Sequence, residues 1–194
     1  MNIVKLRGII KDIKPSHNVG DIEYDKANLI VSRDGTREDI ITLKFKKFSN
    51  TFQEDDTISI IGNVRSYSKQ INGKNKVDVY VFTYFDKNED DVINEFDIDG
   101  RICKINDLRV LENGKSCIHF IIANNLNVSN DSQKLNSYLP CVAWGNEAKE
   151  LSAKSVNDVI HIKGEIHSRI YKKVIGENDF EYRTAHELVV TELL

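Results

Sequence analysis

The sequence predicts an all-β protein made of two tandem five-stranded barrels. Runs of alternating apolar and polar residues recur between turns rich in Asn, Asp and Gly, a pattern typical of strands in sandwiches and barrels. Proline, which interrupts strand pairing, occurs only at Pro15 and Pro140 among 194 residues. The series of five strands also appears twice along the chain. We therefore expect an all-β fold with at most one short helix in each barrel.

Ten segments have the alternation expected of strands. In the first half they are Ile3–Asp12, Lys26–Ser32, Ile40–Phe48, Thr57–Tyr67 and Lys76–Phe85. In the second half they are Glu95–Ile105, Ser116–Asn124, Ser137–Gly145, Val159–Tyr171 and Phe180–Leu193. A charged run separates the halves. We predict an N-terminal domain over residues 1–88, an acidic linker over residues 89–94 and a C-terminal domain over residues 95–194.

The two halves resemble each other in sequence, which indicates a duplication. Gly8 in the first strand corresponds to Gly100, and Gly62 in the fourth strand corresponds to Gly164. The offset grows from 92 to 102 residues between these pairs, so the second copy has about ten additional residues. They fall in Asn124–Asn136, a polar stretch that we expect to be a loop.

The order of elements in each half predicts an OB-fold, which is a five-stranded Greek-key barrel. Asn146–Lys154, after the third strand of the second copy, is the candidate for a short helix. The corresponding segment of the first copy, Ser49–Asp55, is shorter and is compatible with either a helix or a turn. Glycine in the middle of strands 1 and 4 usually marks a bulge or a sharp bend of the barrel.

The third strand of the second copy has an unusual outward face. Side chains on a strand alternate between faces. The face toward the core carries small and medium apolar side chains, namely Leu139, Cys141 and Ala143. The outward face carries Tyr138, Pro140, Val142 and Trp144. Two aromatic side chains on an uncovered face can stack on nucleic-acid bases.

This strand resembles the central strand of the bacterial single-stranded DNA-binding protein family, which ends in Val-x-Trp/Phe-Gly before a short helix. The segment Gly164–Lys173 is similar to the family's run Gly-x-hydrophobic-x-Thr/Ser-Arg-x-Trp/Tyr. The resemblance covers residues 95–194 and reaches residues 1–88 through the internal repeat. Tail-less relatives of the primosomal replication protein N type are also similar.

The resemblance implies a base-stacking site at Tyr138, Trp144 and Tyr171. Arg169, Lys172 and Lys173 would neutralise phosphates nearby, and the hairpin after strand 4 would embrace the bound strand. Stacking suits binding without sequence preference, because every base has a π-face. Two alternatives remain open: Trp144 also suits a core or dimer-interface position, and Tyr171 also suits an ordinary strand end.

The first copy departs from this pattern. By alignment, the outward positions of its third strand are Ile40, Thr42, Lys44 and Lys46, so a lysine replaces Trp144. A basic and aromatic cluster follows Gly62, formed by Arg65, Tyr67 and Lys69. We therefore expect the first copy to contact phosphates more than it stacks bases. A role in dimerisation or as a scaffold, with lysines that are simply solvated, is an open alternative.

The charge of the chain argues against an ordinary nucleic-acid-binding protein. The net charge is −3, with 15 Lys and Arg against 12 Asp and Glu in residues 1–88 and 12 against 15 in residues 95–194. Two functions remain open. One is a protein that coats single-stranded DNA in replication, repair or recombination. The other is a scaffold that docks on a replication or conjugation partner and binds nucleic acid weakly.

Other classes of function have little support in the sequence. No catalytic motif is present, so we predict neither an enzyme nor a cofactor. Cys103, Cys117 and Cys141 lack the paired spacing of a zinc site, and we expect small buried strand residues instead. No apolar run approaches the ~20 residues of a membrane span, and the N-terminus has no signal pattern. We expect a cytoplasmic protein, bacterial or encoded by a phage or mobile element.

The resemblance also implies an assembly. Four OB-folds usually associate in this family, so a chain with two folds is expected to form a homodimer. Family members usually end in a flexible tail with an acidic tip that recruits partners. This chain ends at Leu194 within its predicted last strand, and we expect no such tail.

Overall fold

Eleven strands and one short helix form the part of the chain that the computed structural model describes, which is residues 1–47, 52–71, 74–87, 93–127, 134–176 and 179–194. For residues 69–71, 74–76, 84–87, 126–127 and 134–135 only the backbone is described. The first five strands are β1 (Asn2–Val19), β2 (Ile22–Arg33), β3 (Arg37–Lys46), β4 (Thr57–Ile71) and β5 (Lys74–Lys87). The remaining elements are β6 (Asn94–Ile105), β7 (Arg109–Val110), β8 (Ser116–Asn127), β9 (Lys134–Trp144), α1 (Gly145–Leu151), β10 (Val159–Val174) and β11 (Phe180–Leu193).

Strands β1 to β5 close into the first barrel. Their order is β2-β3-β5-β4-β1, and the barrel closes because β1 also pairs with β2. Strands β3 and β5 meet in a short parallel pair, with Leu43 opposite Val81, whereas the other pairs are antiparallel. Alternate apolar positions fill the interior. In β3, for example, Ile41, Leu43 and Phe45 are buried, and the residues between them face outward.

Strands β6 to β11 close into the second barrel in the same way. The order is β6-β10-β11-β9-β8-β7, and the pairing of β6 with β8 closes the barrel. Strands β11 and β9 form the parallel pair, with Leu188 opposite Cys141. Helix α1 packs Ala148 and Leu151 into the hydrophobic core. This architecture confirms the predicted all-β fold with two tandem OB-type barrels.

Antiparallel pairing of β1 with β6 joins the barrels into one eleven-stranded sheet. Val4 pairs with Phe96 at the centre of this junction. Val4 is also the β4 partner of Gly62, and Phe96 is the β10 partner of Gly164. The predicted repeat therefore coincides with a local pseudo-twofold axis. The domain division stays a prediction, since residues 89–92 of the proposed linker lie outside the described residues and Asn94 already begins β6.

Two asparagines show the same duplication in their hydrogen bonds. Asn2 donates from Nδ2 to the Val64 carbonyl at 2.8 Å and accepts the Val64 N–H at 2.9 Å. Asn94 makes the same two bonds to Ile166, at 2.8 and 2.9 Å. The two pairs are offset by the 92 and 102 residues that the glycines predict.

Gly62 and Gly164 in the fourth strands lie at bulges, as predicted, whereas Gly8 pairs with Ile58 and Gly100 with Ile160 without a register shift. The strand register shifts between Ile61 and Gly62, and again between Lys163 and Gly164. A Cβ atom at Gly62 would lie 2.6 Å from the Phe82 carbonyl oxygen, and one at Gly164 would lie 1.9 Å from that of Val189. The backbones approach so closely at these bends that a side chain does not fit.

Several sequence-based expectations need correction. The stretch Asn124–Asn136 is not all loop, because β8 continues to Asn127 and β9 begins at Lys134, while residues 128–133 lie outside the described residues. Cys117 and Cys141 are buried as expected, but Cys103 is exposed at an outward position of β6. The strand β7 was not predicted, since two residues are too few to show periodicity.

The predicted helices differ from the structure in extent. Helix α1 covers Gly145–Leu151, so it begins and ends earlier than the predicted Asn146–Lys154. In the first copy, Glu54 and Asp55 form a turn rather than a helix, and residues 49–51 of the predicted segment lie outside the described residues.

Candidate nucleic-acid interface

A groove of ≈ 500 Å³ runs between the two barrels. The first barrel contributes Lys26, Lys44 and Tyr80 to its lining, and the second contributes Arg169 and Tyr171. The sequence predicted three of these five residues, and the structure brings them together from strands of different barrels. The carboxylates of Asp78 and Glu187 also line the groove, but the three cations outnumber them. Cations and aromatic rings in one groove suit the phosphates and bases of a nucleic-acid strand.

Trp144 lies outside the lining of this groove, at the end of β9 where helix α1 begins. Its side chain is partly exposed, and the Nζ atom of Lys115 lies 5.0 Å from the centre of its ring. A cation at this distance is attracted to the ring face. Because Trp144 is partly exposed, it is not a core residue. A positive charge also lies close to its ring.

Tyr138 lies near the middle of β9, next to the first barrel. Its side chain is 47% exposed, and its backbone N–H donates to Ser66 Oγ at 2.7 Å. Six residues of strand separate it from Trp144, a distance of about 20 Å at ~3.3 Å per residue. One ligand molecule can contact both rings only if it follows most of the strand.

The outward face of β9 is not continuous, which corrects the expectation from the sequence. Val142 is 1% exposed, so the four outward residues do not form one uncovered surface. His119 on β8 and Glu187 on β11 flank this part of β9, with His119 Nδ1 lying 3.4 Å from Glu187 Oε1. The sequence pattern could not show this, because both flanking residues come from distant segments.

The hairpin of β10 and β11 separates the predicted basic residues onto two faces. Arg169, Tyr171 and Lys173 share one face, since strand side chains alternate, and the first two line the groove. Lys172 lies on the opposite face, where its Nζ atom is 3.6 Å from the centre of the Phe180 ring. Lys172 therefore does not belong to the cluster that Arg169 and Tyr171 form in the groove.

Two aromatic residues on this opposite face were missed by the sequence analysis. Phe180 and Tyr182 pack edge to face with ring centres 5.6 Å apart, and Tyr182 is 69% exposed. Their spacing of two residues along β11 was the available signal. Only the register of β11 against β10 shows that both rings lie beside Lys172.

In the first barrel, the predicted residues Lys44 and Arg65 lie against aromatic rings. The Nζ atom of Lys44 is 4.0 Å from the centre of the Tyr80 ring, and the Arg65 guanidinium carbon is 4.0 Å from that of Phe82. Lys46 faces outward on β3, and Tyr67 is 54% exposed on β4. Lys69 belongs to β4, but its side chain lies outside the described residues.

The aromatic support of this barrel was also missed, because it comes from neighbouring strands rather than from β3. Tyr24 on β2 lies between His17 and Phe82, with ring-centre distances of 4.8 and 6.1 Å. Tyr80 and Phe82 are two residues apart on β5 and therefore share a face, and this spacing could have indicated an outward aromatic face. The first copy is therefore richer in aromatic residues than its third strand alone indicates.

Burial changes the electrostatics of the groove. The pKa of Lys44 is lowered, first because burial disfavours the charged form and second because Lys26 is nearby. The pKa of His186, which also lines the groove, is lowered by burial despite its hydrogen bond with the Ile40 carbonyl. A phosphate in the groove would interact with poorly solvated cations, and such interactions are stronger than those in open water.

Within the described ranges, no cluster of three or more His, Cys, Asp or Glu side chains could hold a metal ion. No helix there is long and apolar enough to cross a membrane.

Comparisons with known proteins agree with these features. A model described as the single-strand binding protein family matches residues 93–193. Single-stranded DNA-binding protein 1 of Streptococcus pyogenes serotype M18 (strain MGAS8232) is 35% identical over 89 residues, which are 44% of this chain and 68% of that protein. The crystal structure of wild-type single-stranded DNA binding protein from Thermus aquaticus has a TM-score of 0.73 and 17% identity, covering 100% of this chain and 92% of that one. The crystal structure of a deletion mutant of the same protein has a TM-score of 0.73 and 15% identity, covering 100% of this chain and 93% of that one.

Proposed function

The chain belongs to the single-strand binding protein family, and we propose that it binds single-stranded DNA without sequence preference. Members of this family bind DNA and are not enzymes, in agreement with the prediction of no catalytic site. The process served is DNA replication, repair or recombination, in which single strands are exposed.

The observation that supports this proposal best is the composition of the groove between the barrels. Lys44 approaches it from one barrel, and Arg169 and Tyr171 approach from the other. A bound strand would place phosphates near the two cations and a base on Tyr171. Each base stacked on an aromatic side chain contributes about 1–3 kcal/mol to binding.

Trp144 and Tyr138 extend the proposed path along β9 beyond the groove. Lys115 lies beside Trp144, so a base stacked on the ring would have a cation close to its phosphate. Lys173 continues the face of Arg169 and Tyr171 along the hairpin. These positions follow the sequence prediction, while Lys172 would contact the strand only from the opposite face.

Binding of labelled oligo(dT), oligo(dA), mixed-sequence DNA and duplex DNA, measured by fluorescence anisotropy, tests the proposal. We expect similar affinities for the single strands and much weaker binding of the duplex. We also expect a steep loss of affinity with salt, since phosphate contacts release counterions. Failure to bind any single strand at low salt would refute DNA binding and favour a scaffold that docks on a protein partner.

We also propose that the protein is a homodimer with four barrels. Strands β4, β1, β6 and β10 are neighbours in the sheet, and their outer face exposes the apolar side chains of Ile3, Ile9 and Val159. A second copy that covers this face would bury those side chains. Sedimentation should give about twice the chain mass of 22.2 kDa, and Ile3→Glu with Ile9→Glu should give the monomer. A wild-type monomer would refute the dimer without affecting the proposal of DNA binding.

A further inference from the structure

The two barrels differ at positions that the strand register makes equivalent. Lys44 on β3 pairs with Phe82 on β5, as Val142 on β9 pairs with Val189 on β11. Arg65 on β4 pairs with Tyr80, as His167 on β10 pairs with Glu187. Two cations and two aromatic rings in the first barrel thus correspond, in the second barrel, to two valines, a histidine and a glutamate.

In the first barrel, both cations rest on rings and neither forms a described ion pair, although Asp78 is close enough to Lys44 to oppose the lowering of its pKa. Lys44 lies over Tyr80 and Arg65 over Phe82, each at 4.0 Å from ring centre to cation. Among the described residues, neither forms an ion pair with a carboxylate, and the buried Nε atom of Arg65 has no hydrogen-bond partner. A ring holds the cation in place but does not neutralise it.

Several other cations of the chain form ion pairs within the protein. The described ion pairs include Lys11–Asp55, Arg33–Asp39, Arg37–Asp34, Lys47–Glu23, Lys163–Asp97 and Arg183–Glu181. Lys44 and Arg65 are not among these pairs, although both side chains are partly buried. Their charge is available to an external anion.

The equivalent part of the second barrel has no such available charge. Glu187 lies where the first barrel has Tyr80, and His119 Nδ1 is 3.4 Å from its carboxylate. His167 Nε2 lies 2.8 Å from Glu165 Oε2. The aromatic and basic residues of this barrel lie farther along, at Trp144 and at the hairpin.

We propose that the two barrels hold a DNA strand by different means: the first holds phosphates through Lys44 and Arg65, and the second stacks bases on Trp144 and Tyr171. This inference rests on the proposed function. In the first barrel the Phe82 side chain is 6% exposed and the Tyr80 ring lies partly buried beneath Lys44, so neither ring presents an open face to a base. The chain is therefore functionally asymmetric in spite of its duplicated fold.

Two labelled oligonucleotides of about 30 residues test the inference, a length near twice the upper site size of ~16 per OB-fold. One is oligo(dT), and the other has the same backbone with abasic sites in place of every base. For single strands the slope of log K against log salt is about −0.7 for each phosphate contact. We expect Lys44→Met and Arg65→Met each to reduce this slope by about 0.7 on both oligonucleotides, and the double variant by about 1.4.

Trp144→Leu should have the opposite signature. It should weaken oligo(dT) binding about 5- to 150-fold at every salt concentration without a change in slope. It should leave binding of the abasic strand unchanged. Lys44→Arg should retain the wild-type slope, and Lys154→Met, which removes an exposed cation after helix α1, should also leave it unchanged. If Lys44→Met does not fold, Lys44→Gln removes the same charge.

The outcomes separate this inference from the proposed function. Suppose that wild-type protein binds oligo(dT) and Trp144→Leu weakens that binding, but the Lys44 and Arg65 variants keep the wild-type slope of log K against log salt. The asymmetry is then wrong, and the proposal of DNA binding stands. Loss of abasic binding in Trp144→Leu would also overturn the asymmetry. If wild-type protein binds neither oligonucleotide, both proposals fail.

Discussion

Ser66 Oγ in the first barrel accepts a hydrogen bond from the backbone N–H of Tyr138 in the second, at 2.7 Å. Ser168 Oγ accepts the corresponding bond from Ile40, at 2.8 Å. The third strand of each barrel thus docks against the fourth strand of the other. These bonds fix the position of a candidate stacking residue relative to the opposite barrel.

Removal of one of these hydroxyl groups should weaken the association of the barrels. We expect Ser66→Ala to lower the free energy of unfolding by about 1 kcal/mol, because the Tyr138 N–H loses its partner. Ser68→Ala, which changes an exposed hydroxyl on the same strand, is the matched control. Urea denaturation measures both variants, and equal stability of the two would show that the Ser66 bond contributes nothing.

The bulge glycines should not tolerate alanine. Gly164→Ala places a Cβ atom 1.9 Å from the Val189 oxygen and 2.9 Å from Phe96 Cζ, so strands β10 and β11 must separate. We expect a loss of about 2–4 kcal/mol in the free energy of unfolding. At Gly176 a Cβ atom would lie 3.6 Å from Asp179 Cβ, an ordinary contact distance, and Gly176→Ala should change stability little. A Gly164→Ala variant as stable as Gly176→Ala would contradict the described bend.

A buried carboxylate connects β2, β3 and the second barrel. Asp39 is fully buried, accepts Arg33 Nε–H at 2.7 Å and accepts the Ser168 N–H at 2.5 Å. Asp39→Asn should cost up to about 3 kcal/mol, because it leaves the partly buried Arg33 charge without its counter-ion. Arg33→Met in the Asp39→Asn background should restore part of that loss. Thermal or urea unfolding of wild type, the two single variants and the double variant gives the coupling free energy between Asp39 and Arg33. If the effects of the two substitutions simply add, the two residues do not form a stabilising pair.

The stability should fall as the pH drops below about 6.5, in part because of His186. Burial lowers its pKa in the folded state, while Asp39 and Asp78 nearby and the Ile40 carbonyl act in the other direction. The unfolded chain then binds more protons than the folded chain, so stability is full above the unfolded pKa of about 6.5 and is lost as the pH falls. His186→Gln should show a smaller loss over this range. An identical pH profile for wild type and variant would exclude His186 as a source.

Sequence alone was sufficient where the signal is local. Alternation placed Leu43 and Cys141 inside the barrels, and the mid-strand positions of Gly62 and Gly164 predicted the bulges. The outward position of Lys44 on β3 also followed from alternation. Each of these inferences needs only the periodicity of one strand.

Sequence was insufficient where the answer depends on contacts between distant strands. The burial of Val142, between strands that carry His119 and Glu187, follows from the pairing of β8 and β11 with β9. The separation of Lys172 from Tyr171 and the support of Lys44 by Tyr80 likewise depend on register. The periodicity of a single strand does not specify its neighbours.

The fluorescence of Trp144 gives the most direct test of binding by base stacking. It is the single tryptophan of the chain, so a titration with oligo(dT) reports on one position. We predict strong quenching at low salt and its reversal at high salt. If three phosphates are contacted, a tenfold rise in salt should weaken binding about 100-fold. Binding of oligo(dT) without any change in this fluorescence would contradict stacking on Trp144, and the absence of both binding and quenching would contradict the proposed function.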